Sequence, residues 1–401
     1  MTLPATSAPA AARGASVAVT LLLAVACGLI AANLYYAQPL AGPIGASLGL
    51  APGATGLIVT LTQIGYGIGL LFIVPLGDLV ETRRLVRGLI GLVAIALLCA
   101  GLSTAPAPFL AAVLAIGLVS VAAQVLVPYA AHLAPPEQRG RMVGNVMSGL
   151  LMGIMLARPA ASIVAQAASW HAVFFLSAAA MAALVVLLGV ALPARQPATV
   201  LPYGRLLASM AHLARTSLLL RRRALYQAAM FGAFSVFWTT APLRLAQEFG
   251  LSQTGIALFA LAGVTGAIAS PIAGRLADAG HGRAATFLAM GCAIAAFVLS
   301  RVGAAGSVTA LAALVAAGIV LDFGVTTNLV VGQRAIFALG DDVRSRLNGL
   351  YMATFFGGGA IGSAFGGLAF AHAGWAGAAW LGMALPAVAL AYAAGEREAA
   401  R

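Results

Sequence analysis

The chain alternates long apolar runs with short polar breaks. Runs bounded by Pro, Gly or Arg fall at about 17–39, 54–77, 85–103, 106–131, 141–167, 171–192, 224–246, 254–276, 284–303, 307–336, 347–371 and 375–394. A helix rises about 1.5 Å per residue, so roughly 20 residues cross the hydrocarbon core of a bilayer, and each run is about that long or longer. Unpaired backbone groups are too costly in lipid, which leaves helices or a closed barrel. A barrel would read as short alternating segments. The pattern predicts an all-α membrane protein with twelve transmembrane helices.

Composition sharpens this picture. Of 401 residues, 62% are hydrophobic and 8% charged, with a mean hydropathy of +1.01. A soluble protein is about 45–50% apolar and about 25% charged, so a soluble fold is excluded. Twelve spans would use roughly 240–260 residues and leave no room for a separate soluble catalytic domain.

The net charge of +12 comes from 22 basic residues, all arginine. With the N-terminus placed in the cytoplasm, Arg13, Arg83, Arg84, Arg87, Arg139, Arg141, Arg195 through Arg223, Arg275, Arg283, Arg334, Arg344, Arg346, Arg397 and Arg401 all fall on the inner side. Arg244 and Arg301 fall outside, and Arg158 lies within a span. This asymmetry predicts cytoplasmic termini and accounts for the basic excess as topology, so nucleic acid is not an expected partner.

The ends and the reactive side chains add little chemistry. Residues 16–32 could imitate a signal peptide, but the run continues to Pro39 without a cleavage region and reads as a retained first span. Residues 1–15 and 395–401 read as short cytoplasmic tails. Cys27, Cys99 and Cys292 are far apart inside apolar runs, and His132, His171, His212, His281 and His372 lie near loops or in the linker. No metal, cofactor, nucleotide or nucleophile motif is found, so an enzyme is not expected.

An internal repeat divides the chain. Pro75-Leu76-Gly77-Asp78 followed by Arg83-Arg84 is echoed by Pro271 through Asp278 followed by Arg283. Arg139-Gly140-Arg141 is echoed by Arg344-Ser345-Arg346, and Gly49-Leu50 by Gly250-Leu251. An even number of spans per copy makes the copies parallel, related by a pseudo-two-fold along the membrane normal. The predicted organisation is a six-helix bundle at 16–192, a linker at 193–223 and a second bundle at 224–394. In the linker Arg205, Ser209, His212 and Thr216 share a helical face opposite Leu207, Met210 and Leu213. That spacing suits either a helix lying on the membrane surface or a solvated loop with topogenic arginines.

With these features the whole chain resembles the major facilitator superfamily. The signature loop of that family, Gly-x-x-x-Asp-Arg/Lys-x-Gly-Arg-Arg, is matched by Gly274, Asp278 and, one residue late, Gly282-Arg283; the first copy keeps Asp78, Arg83 and Arg84. The resemblance implies that these residues, with Arg139, Arg141, Arg344 and Arg346, form cytoplasmic gating loops in which an acid latches neighbouring helices. The fifth segment resembles a degraded form of the family's antiporter pattern, with Gly144, Gly153, Ala157, Arg158, Ala161 and Ser162. Gly149, Gly153, Ala157 and Ala161, and in the eleventh segment Gly358, Gly362 and Gly366, make smooth faces for close contact, expected either across the halves or in static packing. Asn33 through Leu40 and Arg344 through Asn348 look like the bacterial arabinose-efflux or drug-efflux type of permease.

Away from the loops, two ionisable residues lie near mid-membrane: Arg158 in the fifth segment and Asp322 in the tenth. A charge there costs at least about 2.5–3.5 kcal/mol unless paired or hydrated, so neither is expected to face lipid. Asp322 is the proton-coupling candidate, because a carboxyl changes its proton affinity between a buried setting, water and an arginine partner. A purely structural role stays open. Arg158 is the substrate or switch candidate, as a fork for an anion, as an alternating partner of Asp322, or as a structural arginine. Thr326 and Gln333 follow Asp322 on its helical face. Further candidates to line a cavity are Asn33, Tyr36, Gln38, Gln63, Ser120, Gln124, Gln227, Trp238, Thr239, Asn328 and Tyr351, each of which also suits an ordinary interhelical hydrogen bond.

The resemblance implies a secondary transporter of the bacterial cytoplasmic (inner) membrane, a monomer working by alternating access. Its partners would be a small organic solute, protons and the lipid bilayer, and its expected action is proton-coupled efflux by antiport. A proton-coupled importer of an organic anion is the alternative. A channel would need a continuous polar pore, whereas the polar positions here are isolated on separate segments.

Overall fold

A computed structural model describes residues 17–135, 138–194, 202–340 and 343–395. The expected tail at 1–15, all but Gly395 of the expected tail at 395–401, and the stretch 195–201 of the expected linker lie outside the described residues. Fifteen α-helices occur among the described residues. They are α1 (Val17–Ala32), α2 (Ala41–Leu48), α3 (Gly56–Phe72), α4 (Thr82–Leu102), α5 (Pro106–Val119), α6 (Ala122–Leu133), α7 (Arg139–Ala167) and α8 (Trp170–Ala191). The chain continues with α9 (Tyr203–Thr216), α10 (Leu218–Phe249), α11 (Gln253–Ala260), α12 (Gly266–Asp278), α13 (Gly282–Leu299), α14 (Val308–Phe337) and α15 (Arg344–Ala394).

All twelve apolar runs carry helix, and several boundaries differ from expectation for local reasons. Eight helical stretches are long and apolar enough to cross a membrane, among them Pro52–Asp78 and Pro106–Leu133, while Val17–Ala32 is a shorter apolar helix. The first run turns non-helical after Ala32, so Asn33, Tyr36 and Gln38 sit in turns between α1 and α2 and not on a helix. The fourth run is two helices parted at Ser120–Val121. α10 starts at Leu218, so Arg221, Arg222 and Arg223 belong to this helix and not to the linker. α15 holds the last two runs, divided where Ala373 and Gly374 leave helical geometry, Gly374 with φ 56°.

Side chains facing outward along the spans include Leu98, Leu102, Leu176, Val186, Val190 and Val388, an apolar exterior that only lipid tolerates. Inside, one core is built wholly from residues between Leu23 and Leu192. A second gathers the C-terminal half and takes in Tyr35, Tyr66, Leu70 and Ala157 from the first half.

The repeat is visible as duplicated geometry. Gly49 and Gly250 both close a helix in the left-handed region, at φ 68° and 61°, a conformation that glycine enters without a Cβ penalty. The leucine after each bonds back, Leu50 N–H to the Gly45 carbonyl at 2.9 Å and Leu251 N–H to the Leu245 carbonyl at 3.1 Å. Both halves also repeat one helix crossing. Gly28 of α1 meets Gly149 and Gly153 of α7, and Gly232 of α10 meets Gly358 and Gly362 of α15, so close that an added Cβ would strike backbone. The smooth faces of the fifth and eleventh segments thus serve contacts within each half.

Across the halves a different pair carries the contact. α3 packs along the first part of α15, where Thr60 donates to the Ala360 carbonyl at 3.2 Å and Ser363 to the Gly56 carbonyl at 2.9 Å. α7 also meets α11, and the Gln253 backbone N–H donates to Gln166 at 3.2 Å. α9 is amphipathic, burying Leu206 and Met210, and Ser209 is hydrogen-bonded by Arg346.

Candidate functional site at the interface of the halves

The turns that end α1 bring Tyr35 and Gln38 to the middle of the α7 flank. There Arg158, 5% exposed, donates from Nε to Gln38 Oε1 at 2.7 Å. Its guanidinium carbon lies 5.1 Å from the centroid of the Tyr35 ring in its own half, and 5.2 and 4.6 Å from the rings of Phe234 and Trp238 in the other half. Aromatic faces attract a cation electrostatically, and they do so most strongly away from water, which is how a lone guanidinium is held here. Its Nη2 is buried with no hydrogen-bond partner among the described residues.

Asp322 of α14 is likewise 5% exposed, and its Oδ1 accepts from Trp238 Nε1 at 2.9 Å. The two buried charges act on each other electrostatically but form no direct ion pair among the described contacts. Gly263 makes room for this arrangement: a Cβ there would come within 2.9 Å of Asp322 Oδ2 and 3.1 Å of the Trp238 ring. Tyr35, Phe234 and Gly263 were not singled out by sequence. The signal that was available is the aromatic spacing Phe231, Phe234, Trp238 along one face of α10.

The other predicted lining residues fall into separate groups. Gln63 of α3 donates to Ser235 of α10 at 3.1 Å, and Thr239 shares a 3.1 Å hydrogen bond with Ser363, so both lie where the halves meet. Asn33 is drawn into its own half, where it accepts from Ser177 at 2.6 Å, and Tyr36, partly exposed, also meets Ser177. Gln124 donates to the Tyr66 hydroxyl at 3.0 Å. Asn328 donates to Gln227 at 2.6 Å, and Gln333 to Asn348 at 3.2 Å. Tyr351 is fully buried against Gly332. Ser120 is buried at the break between α5 and α6 with its hydroxyl unpartnered, and Thr326 is partly exposed beside Asp322.

In the second arginine-rich loop Asp278, at the end of α12, pairs with Arg334 at the end of α14, and Gly274 lies beside the Arg334 guanidinium. In the first copy Glu81 caps α4, accepting from the backbone N–H of Arg83 and Arg84 at 2.9 and 3.2 Å. Arg83 reaches the Leu192 carbonyl at 3.0 Å. Asp78 closes a short 3-10 turn, Val74–Asp78. Arg139 and Arg141 open α7, and Arg141 lines a groove of about 420 Å³ with Val17 and Ser148. Arg244, which the sequence assigns to the outer side, is buried in the protein, with Glu248 at 2.7 Å, the Ser300 carbonyl at 2.8 Å and the Trp375 ring at 4.8 Å.

Two parallel helical halves that repeat one another, with lone charges buried where they meet, define a membrane transporter. The chain belongs to the Major Facilitator Superfamily, whose family model matches residues 21–336 and again 224–400. It is 38% identical over 349 residues to an uncharacterized transporter of Escherichia coli O157:H7, YgaY, covering 87% of this chain and 88% of that one. A probable transporter of Streptomyces coelicolor, SCO4007, is 34% identical over 348 residues, covering 86% and 80%. Among solved structures, the fold is similar to a bacterial homolog of the human lysosomal transporter Spinster in an inward-facing, unoccupied conformation, with TM-score 0.73, 15% identity and coverage of 94% and 95%. It is also similar to the nucleoside transporter NupG, with TM-score 0.72, 14% identity and coverage of 94% and 97%.

Proposed function

We propose that the protein exports a small organic solute from a bacterial cell in exchange for protons, as a monomer in the inner membrane working by alternating access. The observation that carries this reading is that Arg158 and Asp322 belong to opposite halves and share Trp238 between them. Relative movement of the halves must change the surroundings of both charges, and a carboxyl whose surroundings change takes up or gives up a proton. The arginine-rich end is taken as cytoplasmic. At the other end Gly56 and Ser363, and Gln166 and Gln253, hold the halves together, which fits a state closed to the outside.

Uptake of an organic anion is the second reading, favoured by the buried, unpartnered Arg158 Nη2, a donor suited to a carboxylate fork. Both readings are tested in proteoliposomes with an imposed pH gradient. Export by antiport predicts that a solute moving against its gradient dissipates the pH gradient, and that Asp322→Asn abolishes this coupling while exchange of solute continues. Full gradient-driven flux in Asp322→Asn would remove Asp322 from proton coupling.

A further inference from the structure

We infer that the arginine-rich end of the C-terminal half holds a binding site for a phosphate-bearing anion. A cavity of about 550 Å³ opens there between α10, α12, α14 and α15. Its wall carries three guanidinium groups from three helices, Arg223, Arg334 and Arg344. Among the described lining residues the one carboxylate is Asp278, already engaged by Arg334.

Arg223 supplies the second observation. Its Nη1 donates to Thr286 at 2.9 Å, while its Nε is buried with no acceptor among the described residues. A buried donor without an acceptor is costly, and a guanidinium presents its donors as a fork matched to phosphate oxygens. Val331 and Phe337 give the same cavity an apolar side. Basic pockets between membrane helices accept anionic lipid headgroups, and a phosphodiester with attached chains would satisfy both surfaces. Free phosphate would satisfy the arginines alone.

The test is thermal melting of the full-length purified protein titrated with phosphatidylglycerol, cardiolipin, phosphatidylcholine or inorganic phosphate. Stabilisation by the anionic lipids and not by phosphatidylcholine or phosphate identifies a lipid headgroup. Stabilisation by phosphate that competes with the lipids identifies the free anion. In either case Arg223→Gln with Arg334→Gln should weaken the apparent affinity about tenfold or more, as expected when charge-assisted contacts are lost. An unchanged affinity overturns the site, as does equal stabilisation by phosphatidylcholine. If that double variant does not fold, Asp278→Asn decides, since removing the carboxylate should tighten anion binding. Unchanged or weaker binding in Asp278→Asn overturns the proposal.

Discussion

Arg158 and Asp322, from opposite halves, are joined through one indole. Trp238 gives its N–H edge to the carboxylate at 2.9 Å and its face to the guanidinium, whose carbon is 4.6 Å from the ring centroid. Direct pairing of buried opposite charges would lock two groups whose separation costs several kcal/mol. An aromatic spacer instead leaves each charge partly satisfied and free to take a second partner.

Trp238→Phe keeps an aromatic face for Arg158 but removes the donor to Asp322. It is expected to retain solute binding and to slow gradient-driven turnover about tenfold, the scale of one hydrogen bond to a charged group. Trp238→Ala should also weaken solute binding. Binding and turnover measured side by side in proteoliposomes separate the two roles, and equal behaviour of the two variants would argue against them.

Arg158→Met leaves Gln38 Oε1 without its donor and Asp322 without its nearby opposite charge. Thermal stability is expected to fall, and adding Asp322→Asn should recover part of the loss, because groups that sense one another couple by about 0.5–3 kcal/mol. Additive losses in a double-mutant cycle would mean that the two charges are independent.

The duplicated glycine crossings predict matched sensitivity. Gly153→Ala and Gly362→Ala each drive a Cβ into facing backbone and should each destabilise by about 1–3 kcal/mol. Gly88→Ala and Gly91→Ala add a Cβ with nothing within 4 Å and should be neutral or stabilising, since alanine is the better helix former by about 1 kcal/mol. Melting temperatures of the four variants in one detergent test this directly.

Cysteines at Gln166 and Gln253, on a background lacking Cys27, Cys99 and Cys292, should cross-link with a short bis-methanethiosulfonate, which joins them through reducible disulfides, because the two positions touch across the halves. Transport is expected to stop on cross-linking and return on reduction. Undiminished transport in the linked protein would show that this contact stays closed throughout the cycle.

The helical segments were legible because a bilayer leaves little choice of backbone structure, and the two central charges were legible because charge is so scarce in this chain. What escaped is informative. The end of α1 at Ala32 was hidden because Leu34, Tyr35 and Ala37 are as apolar as the helix before them, so the hydrophobic run continues through the turns. Phe234 and Tyr35 gave no contrast for the same reason, although they complete the setting of Arg158. The glycines of the fifth and eleventh segments announced close packing but not the partner, since a smooth face fits any backbone that reaches it. Asp278 had several arginines within sequence reach, and only the folded arrangement of α14 brings Arg334 to it.

The two glycine crossings also set the mechanics of the molecule. Backbones in direct contact, with no side chains to compress between them, make α1 with α7 and α10 with α15 stiff beams. Compliance is then concentrated in the seam between the beams, where serine, threonine and glutamine contacts exchange easily. The Trp238 ring stands in that seam, so a small tilt of either beam is delivered to it as a change in leverage on both charges.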